Sequence, residues 1–302
     1  MNEQSSSLVK ARGLCKRYGS KLALDNLDID IQPGRIVGLI GPNGAGKTTA
    51  LKCLLGLAPA QGELMVLGLN PRQARTALLE DVCFIADTAI LPRWMKVSQS
   101  LDYLEGVHPK FDRSRAAAFL QTTSIRFNSR VKDLSKGMIT QLHLALVMAI
   151  DAKLLILDEP TLGLDILYRK QFYTTLLNNY FDDDKTIIIA THQVEEIEHI
   201  LTDLIFIKDG KIVLDTAMDT LSNTYLELKV RDTELDQARA LNPIGERSLL
   251  GSRALIYENA DRETLAKLGE LHTPGITDLF VAKMKASPGK TGLALNVAEV
   301  SQ

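Results

Sequence analysis

The chain has 302 residues, 45% hydrophobic and 24% charged, which is enough apolar material for one large domain or two unequal ones and excludes a disordered or fibrous chain. Thirty-five Lys and Arg against thirty-seven Asp and Glu leave a formal charge of −2, so no global basic field favours a polyanion and no nucleic-acid partner is expected. The three cysteines, Cys15, Cys53 and Cys83, are scattered, with neither a CxxC pair nor His spacing suited to zinc, which fits a reducing cytosol.

Residues 1–7 read as a short polar tail without the basic-then-apolar pattern of a leader. No apolar run, LALVMAI at 144–150 included, approaches the ~20 residues that a bilayer crossing needs, so a function at a membrane requires another chain to supply the span. From Leu8 to Ile40 the pattern predicts three strands, LVKARGL, LALDNLDIDI and GRIVGLI, the last almost wholly apolar as for a strand covered on both faces. A helix is expected over 47–57, stopping at Gly56, followed by short helices over 71–81 and 98–106, a third over 112–123 with Asp112 as N-cap, and a longer one over 135–150. LLIL at 154–157 and TIIIA at 186–190 read as buried strands, separated by a helix over 166–180, and 204–215 as a hairpin turning at Asp209-Gly210. This alternation predicts a parallel α/β sheet. Beyond about residue 223 the register changes to that of a small α/β appendage, and SPGKTGLALNVAEVSQ reads as a loose tail.

The predicted third strand runs straight into Gly41, Pro42, Asn43, Gly44, Ala45, Gly46, Lys47 and Thr48, a G-x-x-x-x-G-K-T pattern followed by Thr49. In this strand-to-helix setting the glycines let the backbone wrap a phosphate with N–H groups inward, and the helix N-terminus adds to the field. Lys47 is expected to reach the β- and γ-phosphates, and Thr48 to offer its hydroxyl to Mg²⁺. The bland alternative is a glycine turn with a surface lysine. LLILDEP at 154–160 delivers two adjacent carboxylates to the carboxyl edge of the sheet: Asp158 to hold Mg²⁺, directly or through water, and Glu159 to polarise the attacking water. Alternatively, these acids only cap the next turn.

LSKGM at 134–138, between the phosphate loop and LLILDEP, resembles the signature of ATP-binding cassette (ABC) transporter subunits, LGLD at 162–165 their D-loop, and ATH at 190–192 their switch histidine. The resemblance spans residues 8–222 in order. It implies a P-loop NTPase core with an antiparallel β subdomain and an α-helical subdomain at about 88–150, with residues 223–286 a small accessory α/β domain and 287–302 a tail. It further implies that two cassettes, a homodimer or pseudo-dimer, sandwich two ATP molecules head to tail. Ser135 and the Gly137 backbone would then close on the γ-phosphate held by the other subunit's loop, and His192 would contact that phosphate and position the water with Glu159. Asp165 would link the two sites or serve only as a helix N-cap, and Tyr18 would stack on adenine or pack a strand end.

Two departures stand out. VCFIAD puts Asp87 where the family has a metal-touching glutamine; this carboxylate either binds Mg²⁺ or water beside the phosphates or caps a loop. Lys136 and Met138 replace the usual glycine and glutamine of the signature, Lys136 adding a cation near the nucleotide or facing solvent. Trp94 and Met95 lie where the family receives a coupling helix, as a groove or as core. His108, His143, His199 and His272 have no comparable placement and read as structural or surface residues.

Together these features imply the ATPase subunit of a transporter working through separate polytopic membrane subunits, cytoplasmic and peripheral on the inner face of the membrane. GELHTPGITDLFVAKM resembles the ending of drug- and lipid-type exporter ATPases, which points to export. The alternative is a soluble cassette ATPase acting on ribosomes or chromosomes. Against it, the segment between Lys47 and Leu134 leaves no room for a long coiled coil, and only one cassette is present.

Overall fold

Residues 7–86 and 91–285 are described by a computed structural model, and the chain divides between Asp219 and Thr220 into two compact units. In chain order the first holds β1 (Val9–Tyr18), β2 (Lys21–Ile31), β3 (Ile36–Ile40), α1 (Lys47–Leu54), β4 (Gln61–Val66), α2 (Arg75–Leu79) and β5 (Val82–Ile85). There follow α3 (Val97–Val107), α4 (Arg113–Gln121), α5 (Lys136–Met148), β6 (Leu154–Asp158), α6 (Ile166–Asn179), β7 (Thr186–Thr191), β8 (Asp203–Lys208) and β9 (Lys211–Ala217).

The uninterrupted apolar runs of β3, β6 and β7 are buried at every position, as central strands covered on both faces must be. They form a six-stranded sheet in the order β5-β6-β7-β3-β8-β9, parallel except for the β8–β9 hairpin. Register places Ile156 beside Ile188 and Val37 beside Ile188 on the other side, so the carboxyl ends of β3, β6 and β7 come out at one edge. That is where open α/β sheets gather their ligand-binding loops. A second sheet, β2-β1-β4, is antiparallel. Leu24, Leu27 and Val66 from it join Leu51 and Leu54 of α1 and Ile156, Ile188 and Ile205 of the large sheet in one core. Helices α3, α4 and α5 pack their own cluster around Leu101, Leu120, Leu142 and Leu146.

Asp112 caps α4 by accepting from the Ser114 and Arg115 amides at 2.9 and 3.1 Å. The helix expected over 71–81 is only the short α2, because the Asn70 side chain accepts from the Arg72 and Gln73 amides and holds a turn before it. Strand β4 was not anticipated: it lies at an edge, and only Val66 of its six residues is buried, so no alternation marks it.

The second unit contains α7 (Leu221–Thr224), β10 (Tyr225–Val230), α8 (Leu235–Ala240), β11 (Gly245–Leu249), β12 (Ser252–Glu258), α9 (Arg262–Ala266), β13 (Glu270–His272) and α10 (Ile276–Lys285). Its antiparallel sheet runs β11-β12-β10-β13. Leu226, Leu228 and Val230 alternate onto one face, which Leu235, Ala238 and Leu265 cover. On the other face the buried Glu227 accepts from Arg247 at 2.9 Å, and Arg247 lies 3.2 Å from Asp278 of α10.

Candidate active site

The loop leaving β3 starts with the Gly41 amide donating to Thr191 O at 3.3 Å, then turns tightly, Ala45 N to Pro42 O at 3.1 Å. Gly44 and Gly46 take φ of +82° and +113°, conformations that an L side chain resists, and Gly46 forms the N-cap of α1. The first helical residue is Lys47. Its buried ammonium donates to Gly41 O at 2.7 Å and Pro42 O at 3.4 Å and lies 3.3 Å from Glu159 Oε1. Thr48 and Thr49 follow on the first turn, which holds no acidic residue to oppose an anion.

From the neighbouring strand, β6 ends in Asp158, 2% exposed, and Glu159 takes a left-handed φ of +48° that swings its carboxylate across the edge. Its amide donates to Ala190 O at 2.8 Å. Glu159 Oε1 lies 2.8 Å from His192 Nδ1, and Oε2 accepts from Thr191 Oγ1 at 3.0 Å. Three consecutive strand ends thus converge on one cavity of about 550 Å³, lined by Pro42, Asn43, Gly44, Gly46, Lys47, Thr48, Thr49, Asp158, Glu159 and His192. Tyr18 reaches the same cavity from the end of β1, with its ring half exposed and the Lys16 ammonium 4.7 Å from the ring centroid.

The donors suit a nucleoside triphosphate with a hard divalent cation. The backbone of a glycine loop and an ammonium take phosphate oxygens, an aromatic face takes a base, and a hydroxyl and a buried carboxylate lining the same cavity take an oxygen-loving metal. No group of three or more His, Cys, Asp or Glu among the described residues could hold a metal, so a cation here would take most of its ligands from phosphate and water.

The family profile described as ABC transporter matches residues 24–162. Nod factor export ATP-binding protein I of Cupriavidus metallidurans is 33% identical over 288 residues, which cover 89% of this chain and 91% of that protein. The chain belongs to the ABC transporter ATP-binding family. A further relative, SkfA peptide export ATP-binding protein SkfE of Bacillus subtilis, is 33% identical over 214 residues, 69% of this chain and 88% of its own length. The fold agrees with a solved structure, "Structure of ATP binding subunit of ABC transporter", at a TM-score of 0.64 and 22% identity, over 72% of this chain and 92% of that one.

This ABC protein is therefore an ATP-binding subunit and an ATPase of that family, and among its described residues no helix is long and apolar enough to cross a membrane. Ser135, Gly137 and Asp165 do not line the cassette's nucleotide cavity. Ser135 is exposed and caps α5, its Oγ accepting from the Met138 amide at 3.2 Å. Gly137 is buried, and a Cβ there would stand 2.9 Å from the Tyr168 ring. Asp165 caps α6 through the Leu167 and Tyr168 amides, both at 3.1 Å. Asp87 lies outside the described residues. Trp94 and Met95 separate: Trp94 is 65% exposed, whereas Met95 is buried. Sequence reading missed Lys21, Ala23 and Leu162, which complete the cavity lining, and Thr191, which orients Glu159. Thr191 carried a signal in retrospect, because a hydroxyl at the last position of a buried strand needs a partner.

Proposed function

We propose that this cassette powers export through separate polytopic membrane subunits, paired with a second cassette and peripheral on the inner face of the membrane. Residues 8–222 form the ATPase, with a helical part at about 88–150, and residues 223–286 an accessory domain. What carries the reading is the convergence of Lys47, Glu159 and His192 on one cavity, with the two contacts to Glu159 at 3.3 and 2.8 Å. The names of the two relatives, a Nod factor export protein and a peptide export protein, support export over import.

In this reading the amides of Asn43, Gly44 and Gly46 and the Lys47 ammonium hold the β- and γ-phosphates, and Tyr18 stacks on adenine. Glu159 accepts a hydrogen bond from the attacking water, and His192, held at Nδ1 by Glu159, lies beside the γ-phosphate and keeps that carboxylate in place. Thr48 and Asp158 would hold Mg²⁺, which would supply charge neutralisation to the phosphates, with Asp87 a further candidate ligand. Ser135 and Gly137 close over the γ-phosphate of the paired cassette, Asp165 links the two sites across the interface, and Trp94 receives the membrane partner.

The test is to tag the chain in its native host, trap it with ATP in the Glu159→Gln background and identify what co-purifies from gently solubilised membranes. A stoichiometric polytopic membrane protein is expected. Recovery of ribosomes or DNA instead would overturn the transporter reading in favour of a soluble cassette ATPase.

A further inference from the structure

Glu159 and His192 sit on different strands, and the loops that follow them are tied together outside the nucleotide cavity by a set of polar side chains. Thr161, 2% exposed, donates through Oγ1 to Glu196 Oε2 at 2.8 Å and lies 3.3 Å from the Tyr173 hydroxyl of α6. Arg169, also on α6, donates through Nε to Leu164 O at 2.7 Å and through Nη1 to Gln193 Oε1 at 3.0 Å and to Glu196 Oε1. One guanidinium therefore holds the carbonyl next to Asp165, the side chain next to His192, and the carboxylate that anchors the loop after Glu159. Neither Thr161, Arg169, Gln193 nor Glu196 lines the nucleotide cavity.

The segment after His192 is two short 3₁₀ turns, Val194–Glu196 and Glu198–Ile200, neither with a side-chain cap. Buried Val194 and Ile197 seat it, but they fix no polar side chain, and its upstream polar tie is the Gln193 amide to Thr191 Oγ1 at 3.0 Å. A guanidinium is a rigid fork whose N–H directions are fixed, whereas a lysine ammonium is a point charge on a flexible stem that cannot reproduce three such bonds at once.

We propose that Arg169 is a positioning residue for ATP hydrolysis, keeping the Leu164-Asp165 loop and the His192 segment in register so that His192 Nδ1 stays on Glu159. The inference rests on Glu159 and His192 being the hydrolytic pair. Because Arg169 works through that pair and not on bound nucleotide, its loss acts on turnover while affinity is retained.

The experiment measures steady-state ATP hydrolysis by the full chain carrying Arg169→Met, Arg169→Lys, Gln193→Ala, Glu196→Gln or Glu159→Gln, each with a thermal melt. Arg169→Met and Arg169→Lys are expected to lose kcat by about tenfold or more, since a small misplacement of catalytic groups can cost up to about a hundredfold, with KM for ATP unchanged. Glu196→Gln should retain near-normal kcat, because its amide oxygen still accepts from Arg169 and its N–H still reaches Thr161 Oγ1. Gln193→Ala, which severs only the arm to the histidine segment, should lose kcat by a smaller factor and melt normally. Normal kcat in a folded Arg169→Met variant overturns the proposal, as does a rise in KM with kcat retained. If Arg169→Met fails to fold, normal kcat in Gln193→Ala overturns it. Glu159→Gln separates the two readings. If it still turns over, the hydrolytic pair itself is wrong; if it is inactive while the Arg169 and Gln193 variants are normal, only the positioning role falls.

Discussion

Gly46→Ala and Gly44→Ala form a matched pair of perturbations within one phosphate loop. Both residues have positive φ, yet their surroundings differ. A Cβ at Gly46 would stand 2.7 Å from the backbone oxygen of Ala23 and 3.1 Å from Leu24 Cδ2, whereas a Cβ at Gly44 meets nothing within 4 Å. Gly44→Ala should therefore show only the backbone penalty, about 1–2 kcal/mol. Gly46→Ala adds overpacking of about 1–3 kcal/mol, and its φ of +113° is harder still for alanine, so the expected loss is about 3 kcal/mol or more. Ala23 belongs to the paired strand β2, so relief requires the loop to back away, taking Lys47 off the phosphate position. Urea midpoints followed by circular dichroism, together with titration of a fluorescent ATP analogue, read both effects. Equal midpoints for the two variants, or normal nucleotide affinity in Gly46→Ala, would refute the reasoning.

Tyr18→Ala should weaken ATP binding about tenfold or more, since stacking contributes about 1–3 kcal/mol per base, while Tyr18→Trp retains it; normal affinity in Tyr18→Ala would make the ring a packing residue. Trp94→Ala should leave the melt and ATP affinity unchanged, since its side chain is 65% exposed, but release the co-purifying membrane subunit; undiminished assembly in a pull-down would remove Trp94 from that surface. Burial holds the His143 imidazole down to about 4, and its Nε2 has no hydrogen-bond partner. The unfolded chain takes up the proton nearer 6.5, so the stability contribution is present above that pH and is lost as the pH falls towards 4. The loss is about 2 kcal/mol between about pH 7 and 5. Urea midpoints at several pH values should show this slope flattened in His143→Leu, and an unchanged slope would contradict it.

What was legible in the chain is what depends on neighbours in sequence. The phosphate loop is a contiguous pattern between an apolar strand and a helix, and Glu159 and His192 each follow directly on a buried apolar run, so their arrival at one sheet edge follows from parallel topology. Edge strand β4 was hidden because solvent on most of its side chains removes the alternation that marks a half-buried strand. The Arg169, Gln193 and Glu196 cluster was hidden for another reason. Arg169 and Glu196 lie 27 positions apart on segments that meet only after β6 and β7 have paired, and charged residues on a helix look the same in sequence whether solvated or bridging. The Glu227, Arg247 and Asp278 bridge of the second unit is equally non-local, its pairs lying 20 and 31 positions apart.

Lys47 lies 3.3 Å from Glu159 Oε1, and a single ammonium cannot fully serve that carboxylate and a triphosphate together. On the proposed roles of these two residues, a γ-phosphate that takes up the Lys47 ammonium would draw it away from Glu159 and leave the carboxylate to water as the scissile bond arrives. Once phosphate leaves, the pair would re-form and compete with rebinding of that anion. The contact would then serve as an interlock, idling the empty cassette and giving product release an internal competitor with no additional part.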